Sequence, residues 1–306
     1  MFTSITTKAR YLMIFVASAM LVTMLAACDS GEQGNGKPTI RVGSKQFTEQ
    51  LIIGNMYALI LEDAGYKVER KLNLGGTAVV HQAIVSGDLD VYAEYTGSAL
   101  AAILKLPMDT NPQKVYDTVK AEYDKQFKLK WLDPLGFNDT YAIAMRKDRA
   151  AELGITKISD LKSKADQLTI AGSQEFMSRQ DGLPGLEAAY GMKFKDSKAM
   201  DSGLVYQAVD ANQVDVASGN STDGRLGALG LLMLEDDLPF FPPYYLAPVV
   251  RQDTLAKDPG LEAVLNKLAG KMDEATIAAL NLKVDDEKLE PEDVARTYLK
   301  ENGYIK

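Results

Sequence analysis

A chain of 306 residues, 46% hydrophobic and 25% charged, has material for one large or two medium globular domains with an ample core. A net charge of −8, with no Lys/Arg cluster, argues against a nucleic-acid surface. With one cysteine and one histidine, a disulfide framework, a cysteine metal cluster and ordinary zinc chemistry are excluded.

In chain order, Lys8 and Arg10 form a basic head to an apolar run at 11–25. That run is shorter than the roughly 20 residues a membrane span needs. It ends in Leu25-Ala26-Ala27-Cys28, which resembles the bacterial lipobox. Residues 1–27 are therefore expected to be a lipoprotein signal peptide. Cys28 would be the lipidated first residue of the mature protein, exported and held at the outer face of the cytoplasmic membrane. That face is periplasmic if the cell has two membranes. The Gly-, Gln- and Asn-rich stretch 28–37 reads as a flexible tether.

Residues 39–42 have the pattern of a short strand. The turn Gly43-Ser44-Lys45-Gln46-Phe47-Thr48-Glu49 then enters a helix to about Ala64, with Leu51, Met56, Leu59 and Ile60 on its apolar side. A strand over 68–74 follows, and Gly75-Gly76-Thr77 leads into a helix at 78–86. Next, Leu89, Val91 and Ala93 alternate with Asp90, Tyr92 and Glu94, the pattern of a strand with one covered face. This strand opens into Tyr95-Thr96-Gly97-Ser98, the position at which open α/β sheets hold ligands. Strands alternating with helices predict a parallel α/β sheet.

The pattern then restarts. Gly43-Ser44-x-x-Phe47 is answered by Gly172-Ser173-x-x-Phe176. Gln82-Ala83-Ile84 with Asp90-Val91 is answered, at the same spacing, by Gln207-Ala208-Val209 with Asp215-Val216. In that register Asn220 stands where Tyr95 stands. Between the repeats, 133–141 reads as an extended crossing, and so does 240–251, where Pro242, Pro243 and Pro248 exclude a helix and a central strand. The expectation is two α/β lobes, 38–138 plus 247–306 and 139–246, with a cleft between them that closes about the crossings.

Catalytic signatures are weak. His81 reads as a packed or helix-surface residue in preference to a base, no Gly-x-Ser-x-Gly elbow occurs, and Gly75-Gly76-Thr77 lacks the lysine of a phosphate loop. The chain is read as a binding protein, with no cofactor and no metal. At the lobe junction, Tyr95, Tyr141 and the pair Tyr244-Tyr245 suggest an aromatic cage for a cation. Each ring face contributes about 0.5–2 kcal/mol, so a second anchor is needed. Lys45 and Arg179, at matching places in the two lobes, could hold a ligand carboxylate.

Five motifs, in order, resemble one family along nearly the whole chain: the solute-binding subunits of osmoprotectant ABC importers for glycine betaine, choline and carnitine. They are Gly43-Ser44-Lys45-x-Phe47-Thr48-Glu49-Gln50, Leu74-Gly75-Gly76-Thr77, Asp90-Val91-Tyr92-x-Glu94-Tyr95-Thr96-Gly97, Arg179-x-Asp181-Gly182 and Phe241-Pro242-Pro243-Tyr244. The resemblance implies a two-lobed periplasmic-binding-protein fold of type II, closing around a quaternary-ammonium zwitterion. The partners it implies are an ABC permease and its ATPase. It also implies cage roles for Tyr95, Tyr141 and Tyr244, with Lys45, Ser98 and Arg179 on the ligand carboxylate and Asp139 beside the cage. At Asn220 the chain departs from the family, which usually places a fourth cage tyrosine there. An amide at that place suits a ligand larger than betaine, such as ergothioneine. An ordinary amino acid or other polar solute is the alternative.

Overall fold

A computed structural model describes residues 37–306; the expected signal peptide, Cys28 and nearly all of the tether lie outside the described residues. Two five-stranded mixed sheets form the frame. One contains β1 (Thr39–Gly43), β2 (Lys67–Lys71), β3 (Val91–Tyr95), β4 (Leu129–Trp131) and β10 (Leu246–Arg251), in the order β2-β1-β3-β10-β4. The other contains β5 (Tyr141–Arg146), β6 (Thr169–Gly172), β7 (Asp196–Ala199), β8 (Val216–Asn220) and β9 (Leu231–Met233), in the order β7-β6-β8-β5-β9. In each sheet four strands run in one direction and the fourth in order, β10 or β5, runs antiparallel to both its neighbours. The molecule is two-lobed, as expected, and the repeated motifs fall on equivalent strands: Gly43 and Gly172 end β1 and β6, Tyr95 and Asn220 end β3 and β8.

Two expectations about individual strands fail, for physical reasons. The strand β3 is buried on both faces, with Glu94 fully enclosed. Helices pack on both faces of this sheet, so the alternation with Glu94 marked an enclosed ion pair and not a wet face. Pro248 lies inside β10, a central strand between β3 and β4. Its carbonyl accepts the Leu132 N–H at 2.9 Å, and its missing N–H leaves the Leu132 carbonyl free to accept the Tyr116 hydroxyl at 2.9 Å. A side chain from the helix Pro112–Phe127 therefore makes the bond the proline cannot.

The helix Thr48–Asp63 is buried on nearly all sides, beyond the single apolar side its spacing suggested. Helices Glu274–Asp285 and Pro291–Glu301 pack on it, and a helix apolar all round belongs in a core. Gly65, at φ +85°, follows its last turn in the left-handed conformation that glycine adopts without strain. No helix among the described residues is long and apolar enough to cross a membrane.

Residues 132–140 and 234–245 connect the sheets. They are tied to one another: the Asp139 N–H donates to the Tyr244 carbonyl at 3.1 Å, and the Tyr244 N–H donates to Asn138 Oδ1 at 2.6 Å. The second ends at Tyr245, because Leu246 already pairs with Tyr95 in β10.

Candidate functional site

The cleft between the lobes encloses a cavity of about 540 Å³. Its walls are the ends of β3 and β8, the turns after β1 and β6, and both crossings. Lys45, Tyr95, Ser98 and Asp139 line it, and so do Tyr141, Arg179, Asn220 and Tyr244.

Aromatic rings occupy one side. The Tyr141 and Tyr244 centroids are 5.5 Å apart at 80°, and Tyr141 also packs on Phe176 at 5.2 Å and on Phe241 at 5.5 Å. Tyr95 stacks on Phe47 at 6.1 Å, and the Lys45 ammonium stands 5.0 Å from its ring centre. Gly97 lets Tyr244 in: a Cβ there would come within 2.7 Å of the ring.

A polar corner faces the rings. Lys45, 2% exposed, pairs with Glu94 at 2.5 Å and donates to Thr77 Oγ1 at 2.9 Å. Arg179 is held by both oxygens of the buried Asp181, with its remaining donors 3.2 Å from Ser98 Oγ and 3.5 Å from Thr77 Oγ1. Asp181 also accepts the Tyr244 hydroxyl at 2.7 Å. Thr77 begins the ten-residue helix Thr77–Ser86, and its N–H donates at 2.7 Å to Glu175 of the other lobe. Glu175 in turn lies 3.5 Å from Arg179. A helix N-terminus beside a guanidinium is a carboxylate site by its chemistry, and here a carboxylate of the protein occupies it. Both expected cations are thus neutralised internally.

Between rings and corner lies an acidic centre that the residue pattern did not single out. Glu49 accepts the Tyr95 hydroxyl at 2.7 Å, the Thr222 hydroxyl group lies 2.6 Å away, and the Asn281 amide donates at 3.1 Å. Burial, and next the charge of Asp139, push the Glu49 carboxyl up to about 8. Asp139 lies 2.7 Å from Thr222 Oγ1 and accepts the Asn220 amide; burial pushes it up to about 6, against the pull of those two hydrogen bonds. The Asn220 side chain is thus turned onto Asp139. Glu49 stood in a quoted motif without a role. Asn281 comes from a C-terminal helix with no local signal, because only tertiary packing brings that helix to the cleft.

His81 lies away from the cavity, packed edge-on against Tyr123 at 5.3 Å and Phe127 at 4.6 Å. Burial lowers its pKa to about 4, as suits a core residue.

Two lobes of this strand order, joined by two crossings around an enclosed aromatic and polar cavity, define a type II solute-binding protein. The family model described as the substrate binding domain of ABC-type glycine betaine transport systems matches residues 38–301, and the chain belongs to that family. It is 36% identical over 305 residues to the carnitine transport binding protein OpuCC of Listeria monocytogenes, covering 97% of this chain and 98% of that one. It is 33% identical to the ergothioneine transport permease/ergothioneine binding protein EgtU of Helicobacter pylori, across 97% of this chain and 52% of that longer protein. A crystal structure of a glycine betaine/carnitine/choline ABC transporter protein superposes with a TM-score of 0.72 at 32% identity, over 88% of this chain and all of that one. The family is one of substrate-binding transport proteins.

Proposed function

We propose that the protein captures a quaternary-ammonium compound bearing a carboxylate outside the cytoplasmic membrane and hands it to an ABC permease. The trimethylammonium head would lie against Tyr141, Tyr244 and Tyr95, because it has no N–H to donate and ring faces are its natural host. The carboxylate would take the corner of Thr77, Ser98 and Arg179 in place of Glu175, with Lys45 behind it. One observation carries this reading: a single cavity joins a perpendicular tyrosine pair to a helix N-terminus and arginine already holding a carboxylate. The volume falls within the roughly 300–1,000 Å³ of small-molecule sites, which leaves room for more than the smallest betaine.

Isothermal titration with glycine betaine, choline, carnitine, proline betaine and ergothioneine tests it. Saturable heat with at least one of the carboxylate-bearing compounds is expected; none with any of the five, at high protein concentration, would sink the assignment. The Asn220–Asp139 pair favours a second reading within the same fold, a ligand with an additional polar group such as ergothioneine. Ergothioneine binding more tightly than glycine betaine would select it. An ordinary amino acid would instead need an acidic partner for its amine. Binding of such a ligand abolished by Asp139→Asn but tolerant of Tyr95→Ala would select that. The lipid anchor is part of the proposal: Cys28→Ala should release the protein from the membrane fraction.

A further inference from the structure

Thr222 Oγ1 lies 2.6 Å from Glu49 Oε2 and 2.7 Å from Asp139 Oδ1. A hydroxyl has one hydrogen to donate, yet both contacts are of hydrogen-bond length between oxygens. Two ionised carboxylates could share it only by leaving one short contact without a proton, in a site where all three residues are buried. The second hydrogen must then sit on a carboxyl. Asp139 receives the Asn220 amide and the Thr222 N–H at 3.4 Å, and Glu49 the Tyr95 hydroxyl and the Asn281 amide; burial beside the Asp139 charge raises Glu49, to about 8, further than burial raises Asp139, to about 6, and so places the proton on Glu49. Glu49 carries the proton, donates it to Thr222, and Thr222 donates to Asp139.

The arrangement spans the cleft. Glu49 opens the helix Thr48–Asp63 of the first lobe, Thr222 follows β8 of the second, and Asp139 stands on a crossing. We propose that Glu49 is a positioning residue whose carboxyl takes up a proton when the lobes meet, so that closure around a ligand is proton-linked.

The charged groups packed around it leave this intact. Asp223 faces Asp139 but is held by Arg225, which also reaches Asp285 at 3.3 Å. Lys45 beyond the Tyr95 ring is paired with Glu94, and Arg179 with Asp181. Tyr95, Tyr141 and Tyr206 are neutral at ordinary pH, burial raising all three. With the lobes apart, Glu49 meets water and ionises in the usual carboxylate range. The raised value belongs to the closed form, so its stabilisation is complete at low pH and is lost as pH rises through about 8.

The test has two arms, because the ligand arm rests on the quaternary-ammonium reading. First, glycine betaine, choline and carnitine are titrated calorimetrically in buffers of different ionisation enthalpy. Wild type should take up protons, with Kd rising by up to about tenfold per pH unit between about pH 5 and about pH 8 and levelling above. Above about pH 7, where Asp139 is ionised, Glu49→Gln, whose amide donates permanently, should take up none and show a flat profile. Second, small-angle scattering of the ligand-free protein should show the radius of gyration growing as pH passes about 8 in wild type and staying constant in Glu49→Gln. Binding without proton uptake, or equal uptake by Glu49→Gln, would overturn the proposal. Failure of all three compounds to bind counts against the ligand reading alone. In that case a pH-independent radius of gyration in wild type overturns the proton-linked closure by itself.

Discussion

At the scale of single residues, Arg179 decides how the site tells a zwitterion from a plain cation. Its guanidinium is committed on one edge to Asp181, leaving the other edge toward Ser98 and Thr77. Charge-assisted hydrogen bonds contribute about 1.5–3 kcal/mol. Arg179→Gln, which keeps a donor for the buried Asp181, should therefore weaken glycine betaine or carnitine by about tenfold or more. Choline, which has no carboxylate, should change little. Equal losses measured by titration would remove Arg179 from that role. His81 gives a stability prediction. Its folded pKa, about 4, lies below the ordinary value of 6.5, so the unfolded chain binds the extra proton between them. Stability should rise with pH through that window and fall as pH drops from above 6 toward 4. In His81→Phe the melting temperature should depend less on pH over the same window.

At the scale of elements, the strand β10 is the case where local rules and the fold disagree. Pro248 argued for a crossing segment, and the strand nonetheless lies central because Tyr116 supplies the missing donor. Tyr116→Phe should leave the Leu132 carbonyl without that partner and cost about 1–3 kcal/mol, read as a lower denaturation midpoint at unchanged m-value. The strand and helix periods of the first lobe were legible in the residue pattern, since β1, β3 and the helices after them carry regular apolar spacing. Which faces were dry was not. Burial of both faces of β3, and of the helix Thr48–Asp63 all round, depends on helices that arrive from elsewhere in the chain.

At the scale of the molecule, two lobes meet over small residues and acidic latches. Gly224 sits so close to the helix Glu274–Asp285 that a Cβ would come within 2.8 Å of the Ala278 carbonyl and 2.7 Å of Leu282 Cβ. Its backbone is ordinary helical, so a larger residue there is strained only by the meeting of the lobes. Gly224→Val should leave the melting temperature of the ligand-free protein nearly unchanged and weaken ligand binding by about tenfold or more. Loss of the fold instead would mean that the contact is a permanent part of the core.

By itself the sequence determined the two-lobed α/β plan, its internal repeat and the class of ligand-binding protein. These rest on apolar periodicity, on spacing and on motifs that occur in order along the chain. It also placed tyrosines and basic residues at strand ends, and these line the cleft. The tertiary structure alone decided their partners. Lys45 and Arg179 face carboxylates of the protein, Asn220 turns onto Asp139, and Glu49 joins Thr222 and Asn281 from positions 173 and 232 residues away. Charge and hydrogen-bond pairing over such separations leave no period in the chain. They are set by which surfaces meet when two lobes are packed together, and that is where the chemistry of this cleft is decided.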